Sequence, residues 1–284
     1  MRSIKKSIHI CLLAFRQWIG DYRIFIVFFA AFTYCYMVLN PVKDFLASTG
    51  VRINACVPLF LFEYSYSKFF LLLFCILLFC DAPFFSKTQQ MVLLRSGRVC
   101  WCIGKIFYVA GTSVVYLFSV YVFSWMILFP YVEFSNQWGK AIMTLAKTDA
   151  PGQFHIAGIF FQGKIVDYFT PGQAMFFSLL LCFTSILMIG LIIFLGNFIN
   201  QSIKLGILVA LALVILDMAI FNSAVFSDSL ITYFSPMTWS SLMIINIGGL
   251  GRTPDIFYVG VMDSVLIIGL FTGTILCSMR RQIE

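Results

Sequence analysis

An all-α integral membrane protein, built as a single transmembrane domain over residues 1–284, is the fold class this sequence predicts. Three observations carry that reading. The chain is 61% hydrophobic and only 11% charged, against roughly a quarter charged in an ordinary soluble domain. It holds 33 Phe among 284 residues, far more than one soluble core takes up. Its apolar residues also gather in continuous runs, near the roughly 20 residues needed to cross a hydrocarbon core of about 30 Å. In lipid such runs must satisfy their own backbone, so helices are expected. A β-barrel would show short alternating segments instead.

Six spans are predicted, at about 22–39, 59–80, 106–129, 173–198, 205–222 and 257–278. Lys and Arg set their orientation. With the N-terminus inside, the inner segments hold Arg2, Lys5, Lys6, Arg16, Arg23, Lys87, Arg95, Arg98, Lys105, Lys204, Arg280 and Arg281. The outer segments hold Lys43, Arg52, Lys140, Lys147, Lys164 and Arg252. This excess predicts both termini in the cytoplasm. The net charge of +7 is thus spread over short segments rather than gathered on one soluble face, and no nucleic-acid partner is expected. The nine Cys residues contain no metal-type CxxC pair, so neither a metal site nor a disulfide framework is expected. No cleavable leader is expected either, since the first 20 residues carry charge throughout.

Residues 1–21 are predicted as an amphipathic helix lying in the interface plane. Ile4, Ile8, Cys11, Phe15, Trp18 and Ile19 fall on one side and Lys5, His9 and Arg16 on the other. Ile10 and Leu13 depart from this pattern. Two outer segments are long. In residues 130–172 the spacing of Trp138, Ile142 and Leu145 predicts one apolar face of a short surface helix. Residues 223–256 are too apolar for a free loop yet are broken by Pro236 and Gly248-Gly249. They are expected to form a re-entrant pair of short helices, because irregular backbone at membrane depth must be buried in protein or line water.

Catalytic chemistry is not expected. Gly158 to Lys164 has the glycine and lysine spacing of a P-loop, but Ile165 stands where Mg²⁺ binding needs Ser or Thr. The segment also belongs to an outer loop, so the chain is expected to have no nucleotide site of its own. His9 and His155 fall on opposite sides of the membrane, and neither a zinc-protease motif nor a nucleophile elbow is present.

Ionisable residues within spans are candidate sites, since each is costly in lipid unless hydrated or paired. Asp217 and Asp263 lie at similar depth near the outer ends of spans five and six. They either line a polar vestibule, latch the re-entrant element, or simply reach water. Span two begins with a polar half, Glu63-Tyr64-Ser65-Tyr66-Ser67-Lys68. From there Lys68 is expected to snorkel outward or lie over Tyr64.

Residues 80–105, CDAPFFSKTQQMVLLRSGRVCWCIGK, sit between two apolar runs. Asp81 is placed to cap a new helix with Pro83 in its first turn. Residues 84–94 then run helically to Arg95, Ser96-Gly97 allows a turn, and Trp101 suits the headgroup level. The charges alone fit an ordinary positive-inside loop. The length, some 25 residues on a capped and partly apolar helix, fits a segment received in a partner's groove.

The whole arrangement resembles the membrane-spanning permease subunit of a type-2, exporter-like bacterial ABC transporter. The shared plan is six spans, an interfacial N-terminal helix, a cytoplasmic helix between spans two and three, and a re-entrant element between spans five and six. At residue level the resemblance rests on DAPFFSKTQQMVLLRSGRVCWCIGKIFY, which is similar to the loops of such permeases. It implies that residues 81–98 form a coupling helix seated in a separate ATPase subunit, with Asp81, Lys87, Gln89, Gln90, Arg95 and Arg98 as contacts. It further implies an ATPase dimer that binds the ATP, a second permease chain, identical or homologous, and a bacterial cytoplasmic membrane whose lipids surround the spans. Span two would face the partner permease, making Glu63 and Lys68 candidate pathway residues beside Asp217 and Asp263. The expected function is export of an amphipathic or apolar peptide, drug, lipid or glycan. Two alternatives stay open. One is a non-transporting sensor or scaffold that docks a regulator. The other is an ion-coupled transporter, although the sequence shows neither a discontinuous span nor an internal repeat.

Overall fold

The computed structural model describes residues 2–82, 87–200, 203–222, 230–246 and 253–280. Within them the regular structure is helical apart from one two-residue strand pair and an isolated bridge between Asn246 and Asp255. Five helices are long and apolar enough to cross a membrane: α2 (Tyr22–Thr49), α6 (Arg98–Leu128), α10 (Pro171–Ile199), α11 (Leu205–Asn222) and α12 (Ile256–Arg280). This is an all-α architecture consistent with a multi-pass membrane protein. The predicted second span differs from the others. It is broken into α3 (Leu59–Glu63) and α4 (Ser65–Phe79) at Tyr64, whose ψ of 123° is extended. The sequence, read as one continuous apolar run, had offered no discontinuous span. At 1.5 Å per residue α4 reaches only about 22 Å.

Several helix ends have an identifiable cause. Asp21 accepts a hydrogen bond from the Arg23 backbone N–H at 3.2 Å to start α2, and Gly50 ends it at φ 65°. Helix α2 runs ten residues past the predicted boundary, through Pro41. Its second half buries Val42, Phe45 and Leu46, and that packing outweighs the hydrogen bond lost at proline. Pro171 sits at the first turn of α10, while the Thr170 N–H donates to Gln173 Oε1 at 3.2 Å. Between α5 (Lys87–Ser96) and α6 stands Gly97 at φ 84°, ψ 154°, a conformation that L side chains do not adopt. That glycine separates the two helices.

Helix α6 begins eight residues earlier than its predicted span. Trp101 and Lys105 are therefore inside it and fully buried. The sequence had placed Trp101 among headgroups and Lys105 in the inner segment. Instead the Trp101 ring packs 6.3 Å from that of Phe194. Lys105 Nζ lies 5.9 Å and 5.7 Å from the rings of Trp101 and Tyr108.

The N-terminal helix α1 (Arg2–Arg16) packs along this part of α6. Its buried line is Ser7, Ile10 and Ala14, whereas Ile4, Ile8 and Leu12, and Ile19 in the turn that follows, are exposed. The Ile10 that departed from the expected pattern is the residue that docks. It meets Gly104, where an added Cβ would lie 2.8 Å from Ile10 Cβ. Ser7 Oγ donates to the Cys100 carbonyl at 3.0 Å, and Trp18 Nε1 donates to the Tyr108 hydroxyl at 2.8 Å. Ile4, Ile8 and Leu12 leave an exposed apolar line on the other side of α1.

Arg98 donates to the Met279 carbonyl at 3.5 Å, so the end of α12 and the start of α6 share one face of the bundle with α1. On the opposite face the loops fold into a cap. Strand β1 (Ile53–Asn54) pairs in parallel with β2 (Val132–Glu133). Buried Asn54 donates to the carbonyls of Ser135 and Gln137, each at 2.7 Å. Helix α7 (Gly139–Lys147) buries Ile142 and Leu145 with Trp138 just before it, as the spacing predicted. Short helices α8 (Ala150–Gln153) and α9 (Gly163–Tyr168) complete the cap.

Candidate functional site

The broken second span brings three predicted residues together at a buried charge cluster. Glu63 ends α3, and Lys68 lies one turn into α4, where its backbone N–H closes the first turn onto the Tyr64 carbonyl at 2.9 Å. Both side chains are 0% exposed. Lys68 does not snorkel outward. Its ammonium pairs with Asp217 of α11 at 2.9 Å, with each side chain 1% exposed, and donates to the Met237 carbonyl at 3.3 Å. Glu63 receives three hydrogen bonds from the segment after α11: Ser241 Oγ at 2.5 Å, the Leu242 N–H at 3.0 Å and the Met243 N–H at 3.0 Å. Two successive amides and a hydroxyl make a fixed cradle for a carboxylate.

That segment was expected to be a re-entrant pair of short helices. Its described part, residues 230–246, holds two 3-10 turns, Leu230–Tyr233 and Thr238–Ser240. Met237, Trp239, Leu242, Ile244 and Ile245 are buried. The Trp239 indole donates to the Thr232 carbonyl at 2.8 Å, closing the segment on itself. Gly248 and Gly249 lie outside the described residues. Glu63 and Lys68 thus tie the second span to this segment.

Asp263 is buried as well, at 3% exposure, but it stands apart from the cluster. Its Oδ2 accepts from Thr184 of α10 at 2.8 Å, and its Oδ1 has no hydrogen-bond partner. The sequence left open that Asp217 and Asp263 both reach water; in the fold neither does.

At the face that carries the termini, the root of the expected coupling segment is held at two points. Asp81 pairs with Arg23, which also bonds Asp21 at 3.3 Å; the turn it was expected to cap lies outside the described residues. Asn197 of α10 is 1% exposed. Its Nδ2 donates to the Ala82 carbonyl at 2.9 Å, and its Oδ1 accepts from the Gly206 N–H at 3.1 Å. There the backbones of α10 and α11 touch: a Cβ on Gly196 would lie 2.4 Å from Gly206 Cα.

Helix α5 follows. Val92 and Leu93 pack on the core, while Met91 and Leu94 are 68% and 85% exposed beside exposed Arg95. At helical spacing Met91, Leu94 and Arg95 share a face. Arg98 is exposed at the start of α6, past the Gly97 break. Pro83 and residues 84–86 lie outside the described residues, as do the side chains of Lys87, Gln89 and Gln90.

Sequence reasoning missed the partners more than the sites. Asn197 and Thr184 are polar residues inside apolar runs, a signal that was present and passed over. The amides of Leu242 and Met243 and the Met237 carbonyl are backbone groups, which leave no trace in residue type. Among the described residues no group of three His, Cys, Asp or Glu is placed to hold a metal ion. No protein family, curated protein or solved structure matches this chain.

Proposed function

We propose that this chain is the permease subunit of an ATP-binding cassette exporter in a bacterial cytoplasmic membrane. In this reading α3 and α4 together count as the second of six spans, both termini are cytoplasmic, and residues 230–246 belong to a re-entrant element. The observation that carries the proposal is α5. It is a short helix with an exposed Met91–Leu94–Arg95 face, and its root is tied to α2 through Arg23–Asp81 and to α10 and α11 through Asn197. A partner that grips this helix moves the spans through those ties, so ligand binding on another chain biases the bundle between two states. ATP hydrolysis belongs to that partner dimer, and a second permease chain, identical or homologous, completes the pathway. The cargo is an amphipathic or apolar molecule: a peptide, drug, lipid or glycan.

Co-purification with a co-expressed ATPase subunit tests the proposal. Association is expected for the unaltered chain and is lost or uncoupled from ATPase stimulation in Arg95→Glu/Arg98→Glu. No association with any ATPase subunit sinks the exporter reading. A docking scaffold would then keep α5 as its contact with another regulator. One observation favours a second reading, ion-coupled transport: the break at Tyr64 is flanked by ionisable Glu63 and Lys68, as in transporters with discontinuous helices. Transport driven by an ion gradient without ATP would select it.

A further inference from the structure

The cap carries a pocket of about 520 Å³, within the size range of small-molecule sites. One wall is the end of α7, a second is the α8 turn from Asp149 to Gly152, and the third is the extended segment from His155 to Phe161. Its floor is apolar and buried, with Leu145, Ile156, Ile159 and Phe161 each no more than 8% exposed. Phe160 and Tyr64 add aromatic rings. Among the described residues that line the pocket, Asp149 carries the sole carboxylate, and no Lys or Arg appears. The nearby Lys147 is turned to Asp167 at 2.7 Å, and among the described residues no cation forms a salt bridge with Asp149.

We infer that this pocket binds an organic monocation with an apolar body. The carboxylate complements the charge, the aromatic rings offer faces to an ammonium or guanidinium group, and the buried floor receives the apolar part. A carboxylate-bearing ligand would meet Asp149 with no Lys or Arg in the lining to offset it, His155 being the one imidazole there. The pocket also abuts the break in the second span. Tyr64, which lines it, is the break itself. The Gly158 carbonyl in its wall accepts from Ser67 Oγ, which in turn accepts from the Tyr34 hydroxyl at 2.9 Å. The pocket therefore adjoins the break between Glu63 of α3 and Lys68 of α4. This inference does not depend on the exporter reading, because no ATPase enters it.

Three fluorescent probes with one dansyl-alkyl body test it, ending in an ammonium, a hydroxyl or a carboxylate. Binding is measured by titration on the purified full chain in nanodiscs of zwitterionic lipid, with protein-free nanodiscs giving the partition background. The ammonium probe is expected to bind saturably above background, and the carboxylate probe is not. Asp149→Asn should weaken the ammonium probe about tenfold, the scale of one charge-assisted contact, and leave the hydroxyl probe unchanged. Glu133→Gln, outside the pocket, should change neither. Phe160→Ala should weaken both, and the ammonium probe more than the hydroxyl probe. Equal binding of all three probes, no saturable binding above protein-free nanodiscs, or an Asp149→Asn chain that binds the ammonium probe unchanged would each overturn the inference.

Discussion

Lys68 and Asp217 form an ion pair at 2.9 Å between α4 and α11, with both side chains 1% exposed. A buried pair of this kind is a poor source of stability in itself, but removing one partner strands a charge, at a cost of about 3–5 kcal/mol. Lys68→Met and Asp217→Leu are each expected to lower stability on that scale, and the double variant to recover most of the loss. Thermal unfolding of the detergent-solubilised chain measures this. Strictly additive losses would show that the two side chains do not hold each other.

Glu63 holds residues 241–243 by three hydrogen bonds. Glu63→Ala leaves two buried amides and a hydroxyl without their acceptor, each costing about 1–3 kcal/mol. The expected result is faster amide hydrogen exchange across residues 237–246 while exchange in α10 stays slow. Glu63→Gln, which keeps one acceptor oxygen, should fall between. Unchanged exchange in Glu63→Ala would mean that the segment is held by its apolar side chains alone.

The contact between α10 and α11 admits no side chain at Gly206, where a Cβ would lie 2.5 Å from the Ile193 carbonyl oxygen. Gly206→Ala should therefore destabilise by about 1–3 kcal/mol through overpacking. Gly260, with nothing within 4 Å, should accept alanine without loss. Similar melting temperatures for the two variants would contradict the close approach.

Asn197 satisfies two backbone groups at once, the Ala82 carbonyl and the Gly206 N–H. Asn197→Leu fills the space but bonds neither, and a loss of about 2–4 kcal/mol is expected from two stranded groups. Under the proposed function, the more telling result is that the ATPase subunit still co-purifies while cargo no longer stimulates hydrolysis. Retained stimulation would remove Asn197 from the coupling route.

Leu94 is 85% exposed, so Leu94→Asp should change stability by no more than about 0.5 kcal/mol. The same change places a charge at the centre of the Met91–Leu94–Arg95 face, and under the proposed function it should abolish association with the ATPase subunit. Undiminished co-purification would move the docking surface elsewhere.

The long helices were legible because lipid imposes length and composition on any helix that crosses it. Span five was read with the bounds that α11 has, Leu205–Asn222. The misses share a different cause. Apolar content marks a span but carries no information on continuity, so the break at Tyr64 was invisible inside a hydrophobic run. Lys105 and Trp101 were assigned to the interface by residue type, yet α1 lies along this stretch of α6, and both are buried there. In α1 the sequence showed an apolar face but not that Ser7, Ile10 and Ala14 form a second buried line, since glycine at 104 is what makes room for Ser7 and Ile10. Lys68 and Asp217 were each suspect from residue type. Their pairing needed the third dimension, because 149 positions separate them.

The two-residue ladder between Ile53 and Val132 has a consequence for the order of assembly. Its strands come from the loop after α2 and from the loop after α6, and parallel pairing requires both to stand on the same side. That register is reachable only once α4 and α6 have carried the chain away and back. Asn54, whose amide holds Ser135 and Gln137, cannot make those bonds any earlier during synthesis. The cap therefore closes only after α4 and α6 have been made and have folded back on each other, and its closure reports that they stand antiparallel in the right register.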